Sequence, residues 1–151
     1  MAFEPDIVVT SGDGSEFMMV VQTKWLEQDL SKAEAQLKAY MSAVRSRVGL
    51  LVTPNQSRIF RDRYLPFPAV SVEEVGRFDV SELFGSYSKE GGRNAALRFE
   101  NEVQNWLESL SAHNVIDQLP VELRSAAEST IVPAISLGVI RAGHPRSTLS
   151  A

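Results

Sequence analysis

Two short apolar runs, separated by a glycine-bearing turn and followed at once by a long amphipathic stretch, constrain this chain more than any other feature. Ile7–Thr10 and Phe17–Lys24 flank Ser11-Gly12-Asp13-Gly14-Ser15, and Asp13-Gly14 supplies the positive-φ residues a tight hairpin needs. The two runs are therefore expected to pair as antiparallel neighbours. From Leu26 to Val44, apolar residues recur at Leu30, Ala33, Leu37, Met41 and Val44, a spacing of three and four that lays one apolar stripe along a helix. Asp29 or Ser31 is suited to cap its start. Val48-Gly49-Leu50-Leu51-Val52 is too short for a helix and ends at Thr53-Pro54-Asn55, so it reads as a strand covered on both faces. A short strand over Ser57–Phe60 follows. A strand entered from a long helix usually pairs in parallel, whereas the hairpin is antiparallel. The expected fold is thus α/β, with a mixed central sheet flanked by helices.

Beyond residue 63 the pattern is less regular. Pro66 and Pro68 interrupt it, Val72–Val75 is expected to begin a short helix, and Gly85–Gly92 reads as a connection. A second helix is predicted over about Asn94–Leu110, with Ala96, Phe99, Val103, Trp106, Leu107 and Leu110 on one side. After Pro120 a short helix is expected at Val121–Ala127. Thr130–Ile140 is β-like, with Pro133 suited to an edge or a strand start. These elements are read as one domain over residues 1–143, and residues 144–151 as a loose tail.

Composition excludes several function classes. The chain has 151 residues, enough to bury a core, with 44% hydrophobic and 23% charged residues in the range of ordinary globular proteins. The absence of cysteine removes disulfides and thiolate metal sites. His113 and His144 stand alone, without ligand-like spacing. No stretch approaches the length of a membrane helix, and Glu4 and Asp6 are at odds with a signal peptide, so no membrane partner and cytoplasmic residence are expected. A formal net charge of -4 argues against bulk coating of DNA. A local basic run nevertheless exists: Arg45, Arg47, Arg58, Arg61 and Arg63 face a single acid, Asp62, between residues 45 and 63. It reads either as solvated surface or, should it border a site, as a grip on a phosphate backbone.

The chemistry-bearing residues emerge from strand alternation. Gln22 and Lys24 fall on one face of the second run. Taken alone, a polar pair ending an apolar strand reads as that strand's exit into solvent. Asp6 alters the reading, because it stands at the open end of the first run and the hairpin returns the far end of the second beside it. A carboxylate and an amide oxygen suit a hard divalent cation, and an ammonium beside them can orient water and offset charge on a phosphate.

Pro5-Asp6-Ile7-Val8-Val9, the hairpin, and Val20-Val21-Gln22-Thr23-Lys24 resemble the PD-(D/E)xK, restriction-endonuclease-like nuclease superfamily, with Gln in the second acidic position. Gln36-Leu37-Lys38-Ala39-Tyr40 is similar to the Q-x-x-x-Y motif on the helix after the catalytic lysine in nuclease domains of type I restriction motor subunits and recombination nucleases. Val48–Pro54 and Arg58–Arg61 are similar to the strands that follow in the restriction-subunit domains, so the recognisable core spans residues 4–63. The resemblance implies a Mg²⁺- or Mn²⁺-dependent DNA endonuclease. Asp6 and Gln22 would be the metal ligands, Lys24 the catalytic base or charge partner, and Gln36 and Tyr40 would support the site. DNA and a second copy or partner subunit are the implied partners. Two other readings stand beside it: a catalytically degenerate nuclease-fold module that binds nucleic acid or protein, and an unrelated α/β protein in which these residues form a surface network. The family usually carries a further Glu on a helix ahead of the first catalytic strand, whereas five residues precede Asp6 here. The predicted helix over Asn94–Leu110 carries Glu100, Glu102 and Glu108 and is a candidate for that place, although covering the sheet through Phe99, Val103 and Trp106 is the plainer explanation of it.

Overall fold

The turn between the first two runs closes with one positive-φ residue rather than the two expected of Asp13-Gly14. Gly14 takes φ 78°, and the Asp13 carboxylate accepts hydrogen bonds from Ser11 and Ser15. The computed structural model describes residues 3–89, 91–92, 94–111 and 113–144. Along the chain these form β1 (Ile7–Thr10), β2 (Phe17–Thr23), α1 (Leu30–Val44), β3 (Val48–Val52), β4 (Gln56–Asp62), α2 (Pro68–Ser71), β5 (Val72–Asp79) and α3 (Ser81–Phe84). A 3₁₀ turn follows at Gly85–Lys89, then α4 (Ala95–Ser109), α5 (His113–Asp117), α6 (Val121–Ser129), α7 (Ile131–Leu137) and β6 (Val139–Ala142).

The strands make one six-stranded sheet in the order β5-β4-β3-β2-β1-β6. β2 and β3 are parallel, and the other neighbouring pairs are antiparallel. The sheet is therefore mixed and flanked by helices, an α/β architecture. Alternation along each strand splits its side chains between two cores. On one face, Val20, Leu51 and Phe60 pack under Ala33, Leu37 and Met41 of α1. On the other, Ile7, Val9, Met19, Val21, Leu50 and Ile59 meet α4, α6 and α7. Phe84 sets its ring edge-on against Phe99 and Trp106, with centroids 5.7 and 5.6 Å away. Full burial of one such side chain contributes about 1.5–3 kcal/mol. Among the described residues no helix is long and apolar enough to cross a membrane.

Several elements depart from the sequence reading. Val72–Asp79 is not the start of a helix but a strand paired along β4, and the helical turn lies just before it at Pro68–Ser71. Thr130–Ile140 is mostly helical: α7 buries Ile131, Ala134 and Ile135 at i, i+3, i+4, and Pro133 sits in its first turn, where the missing N–H has no intrahelical partner to lose. Only Val139–Ala142 pairs as a strand, against β1. The first helix begins at Leu30 with Asp29, one of the two expected caps, at the N-cap position, but Asp29 takes a left-handed φ of 54° and its side chain makes no capping hydrogen bond. Of the tail read as loose, residues 145–151 lie outside the described residues, and His144 has a defined place.

Candidate metal centre

A cleft of about 330 Å³ opens where β2 ends, lined by Asp6, Gln22, Thr23, Lys24, the Trp25–Leu26 and Gln28–Asp29 rim, and Ala96, Leu97 and Glu100 of α4. Local backbone pairing fixes its floor. The Asp6 N–H donates to Val21 O at 2.9 Å, and the Lys24 N–H donates to Val52 O at 2.9 Å, extending the β2–β3 ladder. Asp6 Oδ2 accepts the Thr23 N–H at 2.8 Å and the Thr23 hydroxyl at 2.9 Å. Two donors thus orient the carboxylate. The rim is anchored by Trp25, whose indole N–H donates to Tyr87 O at 2.8 Å.

Gln22 and Lys24 reach the cleft together with Asp6 because all three stand at the matching ends of paired strands. Gln22 Oε1 is buried and accepts no hydrogen bond. A carbonyl oxygen withdrawn from water without a donor costs free energy, and a cation is one partner that would satisfy it. The Lys24 ammonium forms no ion pair among the described residues.

The facing wall comes from α4. Ala96 and Glu100 are one turn apart and share a face. Glu100 is 5% exposed, a carboxylate carried into the cleft by the same helix that covers the sheet through Phe99 and Val103. The two neighbouring acids do otherwise: Glu102 accepts the Tyr87 hydroxyl at 3.4 Å, and Glu108 is exposed.

His144 corrects the reading of both histidines as isolated. Its Nε2 lies 3.1 Å from Asp6 Oδ1 and 3.6 Å from Glu100 Oε1. One donor atom from each of Asp6, Glu100 and His144 falls within 4.8 Å of the others. No local spacing signals this group, because Asp6 and His144 are 138 residues apart and meet only through the β1–β6 pairing. That pairing aligns Ile7 with Ala142, and the Gly143 N–H donates to Asp6 O at 2.8 Å.

The remaining sequence-derived residues lie elsewhere. Neither Gln36 nor Tyr40 lines the cleft. Gln36 is exposed, and Tyr40 packs its ring edge-on against Phe3 and Phe17 at 5.6 and 6.2 Å. Phe17 begins β2, whereas the cleft gathers at its end. Burial, and then the charge of Glu4, raise the Tyr40 hydroxyl above its ordinary pKa. The basic run does not border the cleft either. Val48 pairs with Met19 and Arg61, so Arg45, Arg47, Arg61 and Arg63 collect at the opposite end of the strands. Arg58 binds Glu34 at 2.9 Å and Arg61 binds Glu73 at 2.6 Å, so both arginines are engaged in ion pairs and neither lines the cleft.

Chemically, the cleft offers two carboxylates, a buried amide oxygen and an ammonium, and the His144 imidazole stands beside both carboxylates. The oxygens of Asp6, Glu100 and Gln22 are of the hard type that would suit a divalent cation, and Lys24 adds a positive charge to the lining. Comparison of the chain with protein families, with curated proteins and with solved structures finds no match.

Proposed function

We propose that the cleft is the centre of a divalent-cation-dependent nuclease that hydrolyses phosphodiester bonds in DNA. The observation that carries this reading is the convergence of Asp6, Gln22, Lys24 and Glu100 in one cleft, with Gln22 Oε1 buried and lacking a donor. The resemblance of the Asp6…Gln22-x-Lys24 arrangement to the PD-(D/E)xK pattern supports it independently of the geometry. Glu100 supplies a second carboxylate, offsetting the neutral Gln22 in the family's second acidic position.

Asp6, Glu100 and Gln22 would hold Mg²⁺ or Mn²⁺. When bound, the cation supplies Lewis-acid polarisation of the phosphate and lowers the pKa of a coordinated water. Each side chain then has its own task. Thr23 holds Asp6 Oδ2, which leaves Oδ1 directed toward Glu100 and His144. Lys24 donates hydrogen bonds to the attacking water and offsets charge that builds on the phosphate oxygens. One P–O bond forms to water and one ester P–O bond breaks, the attacking water losing a proton and the leaving alkoxide oxygen gaining one.

An assay with linear, supercoiled and single-stranded DNA in Mg²⁺ and Mn²⁺ tests the reading on wild type and Gln22→Glu. Cation-dependent hydrolysis is expected in the wild type and is retained or raised in Gln22→Glu, since a carboxylate binds a hard cation more tightly than an amide. Cation binding without hydrolysis in either protein would favour the degenerate module.

A further inference from the structure

Resting on the reading of this cleft as a cation centre, we propose that His144 is a nitrogen ligand in it, so that the site takes a first-row transition-metal dication such as Mn²⁺ in preference to Mg²⁺. Two donors bonded to one small ion at about 2.0–2.2 Å lie no more than about 4.4 Å apart. The separations of His144 Nε2 from Asp6 Oδ1, 3.1 Å, and from Glu100 Oε1, 3.6 Å, fall within that reach. The buried, donorless Gln22 Oε1 in the adjoining cleft is a separate sign that a cation belongs there.

The chain is built to bring His144 to this point. β6 is an edge strand whose pairing with β1 carries residue 143 onto the backbone of Pro5 and Asp6. A Cβ on Gly143 would stand 2.0 Å from Pro5 O and 2.9 Å from Pro5 C, so only glycine permits this approach without displacing the strand ends. The next side chain is then held beside Asp6. Sheet pairing alone would not require the imidazole to reach both carboxylates.

Selectivity follows from ligand chemistry. Mg²⁺ favours an all-oxygen shell and retains several waters. Imidazole nitrogen instead favours first-row transition metals, whose affinity rises along the series from Mn²⁺. With Asp6, Glu100 and Gln22 alone the donor set is that of a Mg²⁺ site, and His144 shifts it toward Mn²⁺.

The test uses the whole chain, stripped with a chelator and titrated with Mn²⁺ followed by electron paramagnetic resonance, with Mg²⁺ as competitor. Groups that merely orient a metal ligand change affinity by about 10–100-fold when removed. His144→Gln is therefore expected to weaken Mn²⁺ binding by at least about tenfold and to leave Mg²⁺ binding nearly unchanged, with retained folding checked by circular dichroism. The wild-type Mn²⁺ complex is expected to show ¹⁴N modulation of its spin echo that His113→Gln keeps and His144→Gln loses. Because His113 and His144 are the only histidines, the wild-type and His113→Gln spectra decide the matter even if position 144 proves essential for folding. Absence of the ¹⁴N signal, or equal Mn²⁺ affinity in His144→Gln, would overturn the assignment and leave His144 a hydrogen-bond partner of Asp6. Loss of Mn²⁺ in Asp6→Ala alongside that result would preserve the cleft as a cation centre. Mn²⁺ binding unaffected by Asp6→Ala, or absent from the wild type, would overturn both readings.

Discussion

Lys24→Ala is expected to lower the rate of DNA hydrolysis by about 10²–10³-fold, the usual loss when one preorganised donor to a developing charge is removed. The same substitution is expected to leave cation affinity unchanged or slightly tighter. Lys24 ligates nothing, and taking an ammonium out of the cleft removes a charge that repels the cation. The two readouts separate roles that a single activity measurement would merge. Lys24 lines the cleft, its backbone is fixed by the bond to Val52 O, and its ammonium has no ion-pair partner among the described residues. A purely structural lysine would show no loss of rate at constant cation affinity. Turnover kinetics beside a Mn²⁺ titration make the comparison, and a rate within about threefold of wild type would remove Lys24 from the chemistry, being far below the loss expected of a charge-stabilising donor.

Leu50→Ala carries the largest expected effect on stability, a loss of about 2–5 kcal/mol. Leu50 is 0% exposed, and β3 is bracketed by β2 and β4 with helices over both faces. The truncation removes buried methyl groups and leaves a cavity that strands pinned on both sides are slow to close. Because β3 pairs in parallel with β2 all the way to Thr23, part of the damage is expected at the cleft as well. Urea unfolding of wild type and variant measures the difference. A loss below about 1 kcal/mol, the scale of surface positions, would mean that this strand is not central.

What the sequence made legible was the part governed by local periodicity. The hairpin, α1, β3 and β4 each announce themselves through alternation, a stripe of three-and-four spacing, or an uninterrupted apolar run. Asp6, Gln22 and Lys24 follow from the hairpin because one tight turn fixes which ends of the strands meet. The remainder depends on contacts distant in sequence. β5 carries Glu73, Glu74 and Arg77 in a pattern that local propensity does not mark as a strand, and it forms because β4 offers a partner along its length. α7 was obscured by its β-branched residues and by Pro133, although Ile131, Ala134 and Ile135 keep helical spacing. Glu100 could be seen as one of three acids on a helix, but its selection over Glu102 and Glu108 depends on how α4 rotates on the sheet. His144 had no local signal. Its place depends on β6 pairing with β1 and on Gly143 fitting against Pro5, both products of tertiary assembly. Gln36 and Tyr40 mark the opposite limit, since a motif one helical turn long does not determine which end of a sheet its helix residues approach.

On the proposed function, the cleft at the end of β2 cleaves DNA through a cation held by Asp6. The most direct measurement of this is the rate of DNA hydrolysis by wild type and Asp6→Ala, purified in parallel and assayed in Mg²⁺, in Mn²⁺ and with a chelator. Asp6 is the carboxylate shared by the Thr23 hydrogen bonds and the His144–Glu100 group, so its removal takes away an anionic ligand and the point on which the cluster is organised. The predicted result is hydrolysis by the wild type that the chelator abolishes, with loss of activity in Asp6→Ala under both metals. Equal rates in the two preparations, or wild-type hydrolysis that persists with the chelator, would contradict it.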